Sequence, residues 1–526
     1  MVFDVLPYSI ESLIGCFVSG SQDATLDSVS NKRHRIYFEE YFAVLGAETI
    51  VVEHHYIDRD YLEDYAAYYD RCFRDYPRRT KRLHFFSVSF DGDALEARLV
   101  NTVGSISEEV LQEGYLGFVV VKPLPQTIIG RTCLKTYPSD EGRRHFPSLR
   151  LYPVNLFGLE LKIHSLAYQE QDSVVAACAT SALWTCFQGT GKLFQHIIPP
   201  PVEITKWAGD LMPENLTAAS SRAFPNSGLT ATQMAHAVKR IGLEPYVVGT
   251  TSRYSLNGVV YAYLRGKIPS ILACQLIEQK EGRWVSKGGH AIAVTGFSIG
   301  VTAPADGTAS GFKLRANRID KIYGHDDQIG PFARMAWNSL PQIVGQTCPR
   351  GDVLDTSWGE RVFAAPDFIL MPLYHKIRIP YVLVHDAILQ LDAIMENVRT
   401  QAIPTLNRPE WDIYLITSSD YKSSIRSEYL QLDVDIKSSL FVDLPRFLWR
   451  VTLRDGDNLH LDFLFDATGI AQHNLLVHVV STDSGYAQIL GIISTLDPAM
   501  YGGLPLQAES VLEKFRLSPL PPLAVA

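Results

Sequence analysis

The side chains in this chain that could do chemistry together are a cysteine, a histidine and an acidic pair. In sequence order they are Cys178, His290, Asp326 and Asp327. A thiol is a weak nucleophile near neutral pH because little of it is ionised, so a base must lie close by to hold it as thiolate. Histidine can be that base, and an acid on its second nitrogen fixes its tautomer and orientation. The set therefore predicts a thiol nucleophile that attacks a carbonyl carbon.

Such an attack produces an oxyanion, which needs hydrogen-bond donors of its own. The usual donors are the backbone N–H of the nucleophile and one side-chain amide. Gln171 and Gln169 both precede Cys178 and both carry an amide. Either glutamine could supply the amide.

The residues around Cys178 indicate a buried helix. Residues 174–187 are rich in Ala and Leu and place apolar side chains at helical spacing. Gln171, Asp172 and Ser173 precede this stretch as candidates for capping it. Cys178 then lies near the first turn of the helix, where free N–H groups and the helix dipole favour a thiolate.

The histidine and the acids fall on predicted strands. His290 opens the apolar run 291–297, which has the β-branched character of a buried strand. Residues 321–323 indicate a neighbouring strand that ends at Asp326 and Asp327. An acid can therefore face His290 across a sheet, and the sequence leaves open which of the two it is.

This order of residues resembles the papain-like cysteine peptidase superfamily, and most closely its bacterial branch of bacteriocin-leader peptidases. The resemblance covers about residues 160 to 345 and is carried by 290-HAIAVTGF-297 together with Gln171 and Cys178. Two features depart from that branch. The gap between Gln171 and Cys178 is longer, and Asp326 is followed by Asp327 where proline is usual.

The resemblance implies a role for each residue. Cys178 would be the nucleophile, His290 the acid–base group, Asp326 the residue that orients it and Gln171 the oxyanion donor. Asp327 and Gln169 remain the alternatives for the last two roles. We expect no cofactor and no metal.

A helix between Cys178 and His290 is predicted in detail. Thr230 followed by Gln233 is a capping-box pattern, and Met234, Val238 and Ile241 make an apolar stripe. Gly242 suits the position just past the helix end. We expect this helix to be scaffold.

Three domains are predicted along the chain. Residues 1–155 mix helical and strand patterns in an α+β domain of unknown role, 156–350 form the papain-like core, and 351–526 form a second α+β domain. The chain ends in a loose proline-rich tail, 518–526. The predicted fold class is therefore α+β.

The charge, hydropathy and cysteine content of the chain indicate which partners and which cellular compartment to expect. The formal net charge of −9 argues against a general nucleic-acid surface or an anionic-membrane binder. No stretch approaches the ~18 apolar residues of a membrane span. The first residues lack the basic region of a secretory signal, and seven scattered cysteines suggest neither a disulfide framework nor a metal spacing. We expect a cytoplasmic protein.

The predicted function is a cytoplasmic cysteine peptidase or isopeptidase that acts on a peptide or protein substrate. The same triad could pass the acyl group to an amine, which would make the chain an acyltransferase. A second alternative, of another class, is a catalytically inactive papain-like scaffold that binds a regulatory partner. The sequence leaves the substrate and the oligomeric state open.

Overall fold

A computed structural model of the chain describes residues 2–172, 174–211, 228–250, 252–301, 311–338, 342–343, 346–347, 351–359, 361–432, 436–470, 475–497 and 506–517. These residues form a mixed α+β fold with several sheets, so the predicted α+β class is confirmed at that level. Ser173 and the predicted tail at 518–526 lie outside the described residues.

The strands are β1 (Phe3–Pro7), β2 (Thr49–Tyr56), β3 (Thr80–Phe86), β4 (Tyr115–Val121), β5 (Ile129–Leu134), β6 (Arg144–His145), β7 (Arg150–Leu156), β8 (Leu159–Ser165), β9 (Glu244–Gly249), β10 (Ser270–Lys280), β11 (Arg283–Ile299), β12 (Ile319–Asp326), β13 (Gly330–Asn338), β14 (Gln342–Ile343), β15 (Gln346–Thr347), β16 (Val353–Asp355), β17 (Val362–Leu373), β18 (Glu410–Thr417), β19 (Phe447–Asp455), β20 (Asn458–Asp466) and β21 (Leu476–Ser481).

The helices are α1 (Ile10–Gly20), α2 (Leu26–Ser30), α3 (Arg33–Leu45), α4 (Arg59–Ala67), α5 (Gly92–Leu99), α6 (Glu108–Gly114), α7 (Cys178–Phe194), α8 (Pro201–Gly209), α9 (Ala231–Arg240), α10 (Arg253–Arg265), α11 (Tyr381–Ala402), α12 (Ser418–Glu428), α13 (Ile436–Leu440), α14 (Ser484–Thr495) and α15 (Leu506–Leu517). None of these described helices is both long and apolar enough to cross a bilayer.

The chain forms two compact units. The first contains 1–252, 267–298 and 320–373, and the second contains 253–266, 299–319 and 374–526. The predicted domains at 1–155, 156–350 and 351–526 are continuous segments of the chain, whereas each unit is made of three segments. The domain division remains a prediction.

An antiparallel five-stranded sheet lies at the amino-terminal end of the first unit, in the order β1-β2-β3-β4-β5. Helices α1 and α3 pack aromatic side chains on it, among them Phe17, Phe38 and Phe42. The Phe42 ring stacks on Phe85 of β3 with centroids 4.1 Å apart. This buried aromatic layer joins the helices to the sheet.

A closed six-stranded barrel is the second feature of the first unit. Its strands follow the order β10-β11-β12-β13-β16-β17, and β17 pairs back with β10 to close the ring. Closure gives every barrel strand two neighbours, so its strands are held in fixed register. In that register Cys274 of β10 lies opposite His290 of β11.

Helix α7 is buried along almost its whole length and contacts α8, α9, β10 and β17. It begins at Cys178, whereas the sequence suggested a start near Val174. The reason is a tight turn in which Asp172 and Ala176 form an isolated β-bridge and Asp172 Oδ1 accepts the Val174 and Val175 N–H groups. The expected capping of α7 is therefore wrong, because the N-cap residue is Ala177 and makes no side-chain cap.

Both predicted ends of helix α9 are confirmed. Thr230 and Gln233 form the capping box, with both reciprocal hydrogen bonds present. The helix ends at Arg240, and Gly242 follows with a φ of +82°. That left-handed conformation is one that glycine adopts without strain.

The second unit contains the antiparallel sheet β18-β19-β20-β21. Arg450 of β19 is only 2% exposed and pairs with Asp462 and Glu428. A buried guanidinium is tolerated because its charge and its donors are matched.

Candidate active site

The candidate nucleophile is the first residue of a long helix. Cys178 begins the 17-residue helix α7, so its backbone N–H is among those without an intrahelical partner. The thiol is half-buried, as is that of Cys72, while Cys16, Cys133, Cys186 and Cys274 are buried. Cys178 is therefore both accessible and close to the positive end of a helix dipole.

The candidate base is a buried histidine on the neighbouring barrel wall. His290 is 6% exposed and lies within β11, whose first residues, 283–287, form a hairpin with the end of β10. The expectation that His290 opens the strand is therefore wrong, because the hairpin extends the pairing by several polar residues. Gly288, with φ of +109°, lies where the register shifts just before His290.

His290 lies between the thiol and an acid. Its Nε2 is 3.0 Å from Asp326 Oδ1, and its side chain also interacts electrostatically with that of Cys178. Because Nε2 faces the acid, the ring nitrogen left for the thiol is Nδ1. The structure thus brings together three of the side chains that the sequence singled out.

His290 and Asp326 each favour the charged form of the other. Burial by itself would lower the pKa of His290, but the charge of Asp326, the hydrogen bond to Asp326 and the interaction with Cys178 raise that pKa well above its usual value. Burial also opposes ionisation of Asp326, yet the charge of His290 and the hydrogen bonds from His290 and Trp358 lower the pKa of Asp326. The favoured state is an imidazolium beside a carboxylate.

The two aspartates differ in their partners. Asp326 accepts the Gln328 N–H on Oδ1 at 3.1 Å and the Trp358 indole N–H on Oδ2 at 2.7 Å. Asp327 is 3% exposed, its Oδ1 is 3.7 Å from His290 Nε2, and neither carboxyl oxygen has a hydrogen-bond partner among the residues that the structure describes. Burial raises the pKa of Asp327 to about 7. Of the two acids, Asp326 has the geometry of the one that orients His290.

Trp358 is a site residue that the sequence analysis missed. Its ring lies 5.3 Å from that of His290 at 81°, and the Arg33 guanidinium is 4.6 Å from the Trp358 ring centroid. Trp358 therefore covers the histidine and holds the acid. It follows β16, far along the chain from His290, and no motif connects the two in the sequence.

The two candidate oxyanion donors lie in different surroundings. Gln169 is 6% exposed and its Nε2 has no hydrogen-bond partner within the described part of the chain. Gln171 is half-buried and lines an open cavity. An oxyanion donor must be free until the charge develops, and a buried free amide meets that condition better.

The open cavity lies beside the acidic pair. Its volume is about 480 Å³, and the residues that line it include Lys32, His34, Glu170, Gln171, Asp327 and Gln328. Lys32 is ion-paired with Glu170, and His34 Nε2 is 3.0 Å from the backbone oxygen of Asp327. Asp327 is thus one of the residues that this cavity shares with the candidate site.

Comparisons with known proteins give no match for this chain, either among protein-family models or among curated proteins.

Proposed function

We propose that this chain is a cysteine peptidase or isopeptidase with a papain-like core between about residues 156 and 350. One observation carries the proposal. His290 is hydrogen-bonded to Asp326, on the next barrel strand, and interacts electrostatically with Cys178, at the start of a buried helix. A nucleophile, a base and an orienting acid in contact are the minimum set for acyl transfer through a thioester.

The first half of the reaction forms the acyl-enzyme. The Cys178 thiolate attacks the carbonyl carbon of the amide, and the oxyanion accepts hydrogen bonds from the Cys178 N–H and a glutamine amide. Protonated His290 then gives its proton to the departing nitrogen as the C–N bond breaks. The products are a free amine and a thioester on Cys178.

The second half returns the enzyme to its resting state. Neutral His290 removes a proton from water, and the resulting hydroxide attacks the thioester. The C–S bond breaks, the carboxylic acid leaves, and Cys178 is again a thiolate beside protonated His290. An amine that attacks in place of water would make the reaction an acyl transfer.

Asp326 and Trp358 are positioning residues in this proposal. Asp326 fixes the His290 ring, and Trp358 holds the second oxygen of Asp326 while its ring covers the pair. A shielded pair keeps its electrostatic strength because less water screens it.

The side-chain donor to the oxyanion is Gln169 in this proposal. Its amide nitrogen is buried and free of partners among the described residues, whereas Gln171 is half-exposed. The resemblance favours Gln171 by sequence spacing, so the two are compared directly by substitution below.

The expected substrate is a peptide or protein amide, and the expected compartment is a reducing cytoplasm. A reducing compartment keeps Cys178 in the thiol form that the reaction needs. The net charge of −9 gives no support for nucleic acid as a partner.

The experiment that tests the proposal compares the reactivity of individual cysteines. The native protein is treated with limiting iodoacetamide at neutral pH and mapped by peptide mass spectrometry, in wild type and in His290→Ala. Cys72 is the internal control, because it is the other half-buried thiol of the described residues. We expect Cys178 to react first in wild type and to lose that advantage in the variant.

The proposal would be overturned if Cys178 and Cys72 were labelled equally, or if the labelling rate of Cys178 were the same in wild type and in His290→Ala. The inactive-scaffold alternative would then take its place. If Cys178 is selectively labelled, amide substrates are assayed with and without an added amine, and the product separates hydrolysis from acyl transfer.

A further inference from the structure

A buried carboxylate beside the candidate triad lacks a hydrogen-bond partner among the described residues. Asp327 is 3% exposed, and neither of its carboxyl oxygens has a partner within the described residues. Buried polar groups are nearly always hydrogen-bonded, because leaving one unpaired destabilises the fold. An exception beside a cavity is a place where a ligand can supply the missing partner.

The atoms around Asp327 are those of a metal site. One donor atom each from His290, Asp326 and Asp327 lie within 4.8 Å of one another. Imidazole nitrogen and carboxylate oxygen are the ligands that zinc takes apart from thiolate. Carboxylates alone would suit calcium or magnesium, and the nitrogen shifts the preference toward zinc-like ions.

The two distances from His290 Nε2 to the aspartate oxygens are close to those in a tetrahedral ion site. Bonds of ~2.0–2.2 Å place the ligand atoms of a tetrahedral zinc ion about 3.4 Å apart. His290 Nε2 is 3.0 Å from Asp326 Oδ1 and 3.7 Å from Asp327 Oδ1. Shifts of a few tenths of an ångström would bring both distances to the value that the ion requires.

The groups behind these ligands are already fixed. Asp326 is held by the Trp358 indole N–H and the Gln328 backbone N–H, and His290 lies on a paired strand of the closed barrel. Such outer contacts hold ligands in place and raise metal affinity. Asp327 is also one of the residues that line the cavity of about 480 Å³.

We propose that His290, Asp326 and Asp327 form a binding site for a zinc-like divalent ion. The metal would bond to His290 Nε2 and Asp326 Oδ1, so it would replace the hydrogen bond that orients the histidine. The consequence for catalysis rests on the proposed function: the metal-bound form would be inactive. Metal binding itself needs neither Cys178 nor turnover.

The test measures binding directly in the full-length chain. Isothermal titration with zinc chloride is carried out on Cys178→Ser, which removes the reactive thiol as a competing ligand, and the visible spectrum with cobalt chloride reports the geometry. We expect one ion per chain with the spectrum of a tetrahedral nitrogen–oxygen site. Adding Asp327→Asn should weaken binding by about a hundredfold.

A matched control comes from the same cavity. Glu170 lines the cavity and is ion-paired with Lys32, but it is not one of the three ligands. Glu170→Gln in the Cys178→Ser background should keep the affinity within about threefold. Circular dichroism and thermal melting confirm that both variants remain folded.

Two results would overturn the metal site. One is no binding in folded Cys178→Ser, and the other is equal affinity with and without Asp327→Asn. Neither measurement depends on amide hydrolysis. The metal-site proposal and the peptidase proposal are therefore tested independently, and either can be overturned without the other. If both hold, zinc should inhibit wild-type turnover.

Discussion

The His290 imidazole lies 3.0 Å from the Asp326 carboxylate, and both side chains are at least 94% buried. The ion pair is thus removed from water, and its carboxylate accepts hydrogen bonds from the Trp358 indole N–H and the Gln328 backbone N–H. A buried pair of this kind is sensitive to the loss of either member, because the remaining charge is left without a partner.

Asp326→Asn should reduce turnover by about a thousandfold, because the amide cannot stabilise protonated His290 and can favour the wrong tautomer. The Asp326 charge raises the pKa of His290, so removing it lowers that pKa. The proton that His290 gives to the leaving group is lost as pH rises through its pKa. The alkaline limb of the kcat/KM profile should therefore move to lower pH.

Asp355→Asn is the control for that measurement. Asp355 is an exposed carboxylate on another strand of the same barrel and bonds to Asn338. Its variant should keep the rate and the position of the alkaline limb. An unchanged limb in Asp326→Asn would show that Asp326 does not act on His290.

Trp358→Phe separates the two contacts of the indole. The phenyl ring keeps an aromatic surface over His290, but it loses the N–H that donates to Asp326 at 2.7 Å. A hydrogen bond to a charged group contributes about 1.5–3 kcal/mol, so kcat should fall by about tenfold to a hundredfold. KM should change little, since the lost contact is with the acid and not with substrate. A rise in KM at constant kcat would instead place Trp358 in substrate binding.

Gln169→Ala and Gln171→Ala form a matched pair. Removing an oxyanion donor lowers kcat by about 10²–10³. We expect that loss in Gln169→Ala and less than about tenfold in Gln171→Ala, because the Gln169 amide nitrogen is buried and has no partner in the described part of the chain, whereas Gln171 is half-exposed. Single-turnover rates of thioester formation are the measurement. The opposite pattern would assign the role to Gln171, as the sequence resemblance does.

Local patterns predict local structure well in this chain. The capping box at Thr230 and Gln233 and the glycine at 242 define α9 because both act within a few residues. The apolar, Ala-rich residues after Cys178 likewise predict α7. The start of α7 was misplaced because the turn at Asp172 is made by side-chain-to-backbone bonds that compete with a helix.

The sequence does not reveal contacts between residues that are far apart along the chain. The barrel closes through pairing of β10 with β17, which are separated by most of the barrel itself. The position of Trp358 over His290 depends on that closure, and so does the difference between Asp326 and Asp327. Two adjacent aspartates look equivalent in a sequence, and only their surroundings separate a hydrogen-bonded acid from an unpartnered one.

The buried His84 should make the free energy of unfolding depend on pH, independently of the candidate site. This residue of β3 is fully buried and its Nδ1 is 3.0 Å from the Tyr115 hydroxyl. Burial lowers the pKa of His84 from 6.5 to about 4. Above pH 6.5 the side chain is neutral in both states. Between 6.5 and about 4 only the unfolded chain takes up the proton, so the free energy of unfolding falls as pH falls, by up to about 3 kcal/mol.

His84→Asn keeps a short polar group opposite Tyr115 and removes the titration. Thermal unfolding midpoints of wild type and variant, measured at intervals from pH 7.5 to pH 4, should converge as pH falls, since only wild type loses the His84 contribution. Other groups that titrate in this window change both proteins alike and cancel in the difference. Two parallel curves would mean that His84 takes up its proton as readily in the folded sheet as in the unfolded chain, with Glu53, whose Oε2 lies 3.5 Å from His84 Nε2, as the partner that stabilises the charge.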